Sequence, residues 1–169
     1  LNGFESEPAW REGLIAERER WWSDPSATSG PLPSDGEVID AVARWAREGT
    51  VVVAASGSIP GELQKRWRCR SADEVHLEYG FSCMGYEIAG ALGVKLARPE
   101  AEVVALVGDG AYLMLSSELQ TSVALQKKLI VVVFDKDFWE DDRGNRREYT
   151  GEVQLQLADG LWDSWLWTV

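Results

Sequence analysis

Four short apolar runs rich in β-branched residues, each separated from the next by a glycine-bearing loop and a helical stretch, constrain this chain most. Thr50–Ala55, Val75–Leu77, Glu102–Val107 and Leu129–Phe134 are such runs. They are nearly continuous in apolar residues instead of alternating, which is the mark of strands covered on both faces. Between them lie helical patterns over Gly61–Trp67, Cys83–Leu96 and Tyr112–Gln126. Strand and helix taking turns in this way predict an α/β fold: a doubly wound, mostly parallel sheet with helices on both faces.

The flanks are less regular. Residues 8–22 read as a helix with Trp10, Leu14, Trp21 and Trp22 near one face. A Ser-, Pro- and Gly-rich linker follows over residues 23–33. Ser34 and Glu37 then form a capping-box pair, opening a helix that carries Val38, Val42, Trp45 and Ala46 on one side, with Gly49 to end it. Beyond Asp135 the rhythm breaks: residues 136–147 are dense in charge, and Trp162, Trp165 and Trp167 crowd the end. Val153–Leu157 alternates like one more strand. Three parts are therefore expected: an N-terminal helix and linker over 1–33, a domain core over 34–135, and a divergent tail over 136–169.

Composition narrows the classes of function. With 45% apolar and 27% charged residues the chain is globular, and no apolar run approaches the ~18 residues of a membrane span. A net charge of -11 disfavours a nucleic-acid partner, yet backbone amides and a metal can still bind an anionic cofactor locally. Cys69 and Cys83 lack metal-ligand spacing, and His76 stands alone, so a zinc site is not expected. The expected setting is cytoplasmic, with no membrane and no nucleic acid.

Gly108-Asp109-Gly110 lies at the carboxyl end of a predicted strand and opens a helix, the place where open α/β sheets bind ligands. Asp109 is a hard oxygen ligand suited to Mg²⁺ or Ca²⁺. The glycines permit a tight turn and close approach, and the amides of Gly110, Ala111 and Tyr112 at the helix start favour an anion. Two more loops follow predicted strands: Ala54-Ala-Ser-Gly-Ser-Ile-Pro-Gly61, and the long stretch from His76 to Gly93.

Together these three loops resemble the diphosphate-binding domain of thiamine-diphosphate-dependent enzymes. EYGFSCMGYEIAGALGVKLA with GDGAYLMLSSEL is most similar to the trihydroxycyclohexanedione hydrolases of inositol catabolism, with acetolactate synthases and pyruvate decarboxylase as more distant relatives. The resemblance implies a cofactor, thiamine diphosphate with Mg²⁺, and a role for each matching residue. Asp109 would be the first side-chain metal ligand, and Gly108 the turn before it. Gly110, Ala111 and Tyr112 would meet the diphosphate through their backbone. Ser56, Gly57 and Ser58 match the first diphosphate loop, Ser58 being the better hydroxyl. Ser82 would offer its carbonyl to the aminopyrimidine, and Met84 matches the large apolar residue that bends the cofactor. Glu78 and Tyr79 either face the substrate or serve only the loop. No catalytic residue is assigned.

The resemblance also marks departures. Where the family places its second metal ligand, an Asn at the end of the next strand, this chain has Lys136. Where a Gly carbonyl would be the third ligand it has Phe138. A protonated lysine has no lone pair to give; Asp135 and Asp137 are the nearby substitutes. A change of reading frame near codon 136 and ordinary divergence are both origins for such a tail. The Glu that activates thiamine belongs to a pyrimidine-binding domain, which nothing here encodes. A piece or descendant of a longer gene product is therefore expected, inactive alone. It would be either the cofactor-binding part of a C–C-cleaving hydrolase or lyase, or a non-catalytic remnant kept as a binding or interaction module. A bare apolar face would be covered in a homo-oligomer, most simply a two-fold dimer, or by the tail folded back over it; a separate pyrimidine-binding subunit is the other partner expected.

Overall fold

The structure is a computed structural model that describes residues 7–23 and 33–134 and three strand segments of the tail, 138–140, 146–148 and 155–158. Helix α1 (Pro8–Ser23) forms where expected. None of its residues is buried. Its Trp22 ring lies under two guanidinium groups instead, Arg18 at 4.6 Å and Arg68 at 5.0 Å, cation–π contacts that tie α1 to the loop before the second strand.

Helix α2 (Asp35–Trp45) opens with the expected capping box. The Glu37 amide donates to Ser34 Oγ at 3.3 Å, and the Ser34 amide donates to Glu37 Oε2 at 2.8 Å. The helix ends at Trp45, and Gly49 follows in a left-handed turn with φ +84° that delivers the chain to the sheet. The core elements then run β1 (Val51–Ala54), α3 (Ile59–Arg66), β2 (Val75–Leu77), α4 (Tyr86–Ala97), β3 (Val103–Gly108), α5 (Asp109–Leu115), α6 (Glu118–Ala124) and β4 (Leu129–Phe134). The stretch expected as one helix over Tyr112–Gln126 is two, broken at Ser116 and Ser117. These residues compete for local hydrogen bonds and so favour helix ends over interiors.

Strand order is β2-β1-β3-β4, all parallel. Of the tail, β5 (Phe138–Glu140) and β6 (Arg146–Glu148) pair as a separate antiparallel ribbon, and β7 (Leu155–Ala158) runs antiparallel on β4. Of the strand expected at Val153–Leu157, the described part is β7, paired along β4.

Period-two alternation in the strands sorts the core into two layers. Val52, Ala54, Val104, Leu106, Ile130, Val132 and Phe134 meet Ile39 of α2 and Ile59 and Leu63 of α3 on one face. Val53, Val103, Ala105, Val107, Leu129, Val131 and Val133 meet Ala91 and Leu92 of α4 and Ala111 of α5 on the other. Every residue of β4 and nearly every residue of β1 and β3 is buried, which is why these runs read as continuously apolar. No helix of the described residues is long and apolar enough to cross a membrane.

Candidate functional site

Leaving β1, the chain first adds β2 on one side and later β3 on the other. The order reverses at β1, so the loops after β1 and β3 diverge and leave a crevice between their carboxyl ends. The described residues singled out for the diphosphate and the cofactor lie along this edge. Ser56, Gly57 and Ser58 follow β1, Ser82 and Met84 lie between β2 and α4, and Gly108 to Tyr112 cross from β3 into α5.

Asp109 is the first residue of α5, immediately past β3, and Gly108 is its N-cap with extended backbone. In a helix capped there, Tyr112 is the first residue whose amide reaches back to the Gly108 carbonyl. The donors that the helix start leaves unclaimed within the helix are those of Asp109, Gly110 and Ala111. The ring of Tyr112 packs against the α4-side core. Among the described residues no three His, Cys, Asp or Glu gather in a metal cluster. Lys136, Asp135 and Asp137 lie outside the described residues, and of Phe138 only its place in β5 is described.

Two close approaches bring the second and third loops together. A Cβ on Gly110 would come 3.3 Å from Met84 Cε, so a glycine here leaves room for the methionine tip. A Cβ on Gly85 would come 2.9 Å from Leu115 Cγ of α5, and Gly85 has φ +93°. Met84 itself is 45% exposed, standing over the edge instead of filling the core. A cradle shaped by missing side chains, with an apolar prop beside an aspartate, fits a cofactor that has both a charged and an apolar part.

Ser82 holds φ +53°, a left-handed backbone uncommon for a residue with a side chain. The loop is kept in that shape by Glu78, whose Oε2 accepts from the Cys83 amide at 2.7 Å and whose Oε1 accepts from the Phe81 amide at 3.0 Å. These two donors, the Cys83 amide foremost, hold the Glu78 carboxyl below the usual carboxylate range. Desolvation, then the Glu78 charge, push the Cys83 thiol up. Glu78 thus serves the loop, whichever way Tyr79 faces. Cys69 and Cys83 are both exposed free thiols.

The first loop holds two carboxylate partners. The Ser58 hydroxyl donates to Asp35 Oδ2 of α2 at 2.8 Å. The Ser56 amide and hydroxyl both donate to Glu87 Oε1, at 3.1 and 3.0 Å, and the Gly85 amide donates to Glu87 Oε2 at 2.9 Å. Glu87 is fully buried and was not singled out from the sequence. An acidic residue in a helix's first turn reads as an ordinary partner of the helix dipole, and nothing local announces its reach to Ser56.

A separate cavity of about 280 Å³ opens at the amino-terminal end of the sheet, lined by Arg44, Arg47, Arg66, Arg68 and Arg70 with Asp40 and Glu74. Arg44 and Arg66 lie in the last turns of α2 and α3, where helix dipoles favour cations. That accounts for part of this arginine cluster without a ligand.

Comparisons with known proteins place this domain in a family. The family profile described as thiamine pyrophosphate enzyme, C-terminal TPP binding domain, matches residues 55–158, from the loop after β1 through β7. A 3D-(3,5/4)-trihydroxycyclohexane-1,2-dione hydrolase of Geobacillus thermodenitrificans is 48% identical over 124 residues, 73% of this chain and 18% of the relative. Another, of Clostridium perfringens, is 45% identical over 74% of this chain and 18% of the relative. A third, of Bacillus thuringiensis, reaches 57% identity over 88 residues, 52% of this chain and 14% of that protein. The chain thus spans under a fifth of the length of these curated relatives. Among solved structures, a thiamine diphosphate-dependent 4-hydroxybenzoylformate decarboxylase of Rhodococcus jostii RHA1 superposes with TM-score 0.63 at 15% identity, over 69% of this chain and 22% of that one. At that identity the likeness is one of fold.

Proposed function

The chain belongs to the thiamine pyrophosphate enzymes through their C-terminal TPP binding domain, and from that premise we propose that it is the diphosphate- and metal-holding half of a hydrolase or lyase that cleaves carbon–carbon bonds. One observation carries the reading furthest. Three strand-end loops meet at the point where the sheet reverses its order, with Asp109 just past β3 and Met84 against Gly110.

Thiamine diphosphate, when bound, supplies a carbon nucleophile and electron sink for cleavage beside a carbonyl. The chain's own residues bind and orient. Asp109 would hold a divalent cation, for which Mg²⁺ is the natural choice beside a diphosphate. The amides of Gly110 and Ala111 would take the diphosphate, with Tyr112 completing the turn. Gly57, at φ +77° and open to solvent, brings the first loop's backbone close, and Ser58 follows it. Ser56 is spoken for by Glu87 and contributes through the loop's shape. Met84 would prop the apolar part, and the Ser82 carbonyl would serve the pyrimidine. By analogy with the relatives, the substrate is a polyhydroxylated cyclic 1,2-dione.

In this reading the activating carboxylate comes from a pyrimidine-binding domain, so turnover needs that domain alongside this half. Exposed apolar side chains on the β2–α4 loop and α5 support a covering partner: Phe81 is 90% exposed, Leu113 75% and Met114 60%. A second copy in a two-fold dimer is the simplest such partner, and a separate pyrimidine-binding subunit the other. The competing reading, a non-catalytic domain kept as an oligomeric binding or interaction module, draws on Lys136 and Phe138 at the places of the missing ligands. Thermal melting separates them. Thiamine diphosphate and Mg²⁺ together raise Tm, the rise disappears in Asp109→Ala, and a Tm indifferent to both ligands favours the module.

A further inference from the structure

Glu87 has no solvent exposure, and a carboxylate is expensive to desolvate unless its lone pairs are met. Here they are met from two directions. Oε2 takes the amide of Gly85, the N-cap of Glu87's own helix. Oε1 takes both the amide and the hydroxyl of Ser56, a loop residue 31 positions upstream. Capping α4 needs only the first of these, and a short side chain at the cap itself would serve. The second has no purpose within the helix. It fastens the loop after β1 to the turn before α4, and those are the two segments that flank the crevice with Gly57 and Ser58 on one side and Met84 on the other.

We propose that Glu87 is a positioning residue that sets the separation of the Ser56–Ser58 loop and the Met84–Gly85 turn, so that the two present their backbone amides and the methionine prop to one diphosphate-bearing ligand. The proposal rests on the reading of this crevice as the thiamine diphosphate site. It assigns Ser56 no direct contact with the ligand, because its amide and hydroxyl both donate to Glu87. Replacing Glu87 would leave the loops present but free to drift apart, and buried donors would lose their acceptor.

The test uses the whole chain with Glu87→Gln and Glu87→Ala, by NMR amide exchange without ligand and by calorimetry with thiamine diphosphate and Mg²⁺. Glutamine retains one oxygen, enough for Ser56, and turns an amide towards the Gly85 N–H. Exchange should therefore rise at Gly85 by about tenfold while Ser56 stays protected. In Glu87→Ala both should rise together, with β3 and β4 amides unchanged, and cofactor affinity should fall about tenfold or more. If Glu87→Ala does not fold, the asymmetric pattern in Glu87→Gln carries the test. A uniform rise across the sheet, or unchanged exchange at both Ser56 and Gly85, overturns the proposal; so does unchanged affinity in variants whose loops have loosened. If the wild-type chain takes up no cofactor while the exchange pattern appears as described, the crevice reading fails and the coupling of the two loops by Glu87 stands.

Discussion

Replacing Gly85 with alanine should be among the most damaging single-atom additions this chain can suffer, for two separable reasons. Gly85 sits at φ +93°, where a Cβ meets its own backbone. That costs about 1–2 kcal/mol for a residue with a side chain. The new methyl would also lie 2.9 Å from Leu115 Cγ, 3.0 Å from Cδ1 and 3.1 Å from Cβ. Overpacking of this kind costs about 1–3 kcal/mol. The expected loss is then about 2–5 kcal/mol, a large part of the ~5–15 kcal/mol that holds a domain folded. Urea unfolding should show a lower midpoint with the same slope. In a Leu115→Ala background the Cγ and Cδ1 contacts are gone, so the same substitution should cost about 1–2 kcal/mol less, a coupling that a double-mutant cycle reads directly. A loss under about 1 kcal/mol in the wild-type background would refute the geometric argument. An equal loss in both backgrounds would leave the backbone part and refute the steric one. Leu115 ends the helix that Asp109 begins, so the variant should also disturb the site.

Other consequences can be checked separately. Lys136→Asn with Phe138→Gly should raise Mg²⁺-dependent affinity for thiamine diphosphate by about 10- to 100-fold if missing metal ligands are the fault, and calorimetry finding no gain would lay the weakness elsewhere. Glu78 has its folded-state pKa depressed by the Cys83 and Phe81 amides. Its hold on the loop is therefore present at neutral pH and lost as pH falls through that lowered value, below the ordinary ~4.3. The Cys83 and Phe81 amide shifts should follow that titration and cease to do so in Glu78→Gln; amides indifferent to acid in the wild type would contradict it. The purified chain should not turn over cyclic diones or pyruvate, and turnover abolished by Asp109→Ala would show that no second domain is needed.

Much of this was legible in the sequence because buried parallel strands leave a local mark. Leu129–Phe134 is a strand at its expected bounds, since a two-sided core selects such a run, and Val75–Leu77, only half-buried, matches its expected bounds as well. Asp109 stands just past a strand end because the Gly-Asp-Gly tripeptide interrupts an apolar run where no core residue would be glycine. The break at Ser116 and Ser117 was not legible: apolar periodicity continues across it, and only the general preference of serine for helix ends hints at it. Helix α4 begins three residues later than Cys83, since Gly85 takes a left-handed turn that its sequence allows without demanding. Glu87 escaped altogether, because its burial depends on a loop remote in sequence. The alternation at Val153–Leu157 signalled a strand but could not say that it would lie antiparallel against β4.

The account stands or falls on whether this edge of the sheet takes the cofactor's diphosphate through Asp109. Titration calorimetry of thiamine diphosphate into the purified chain, with and without Mg²⁺ and in wild type and Asp109→Ala, asks that question directly. The account predicts weak one-site binding that requires Mg²⁺ and vanishes in the variant. Binding of equal strength in Asp109→Ala, or no heat from the wild type even with Mg²⁺ in excess, would contradict it.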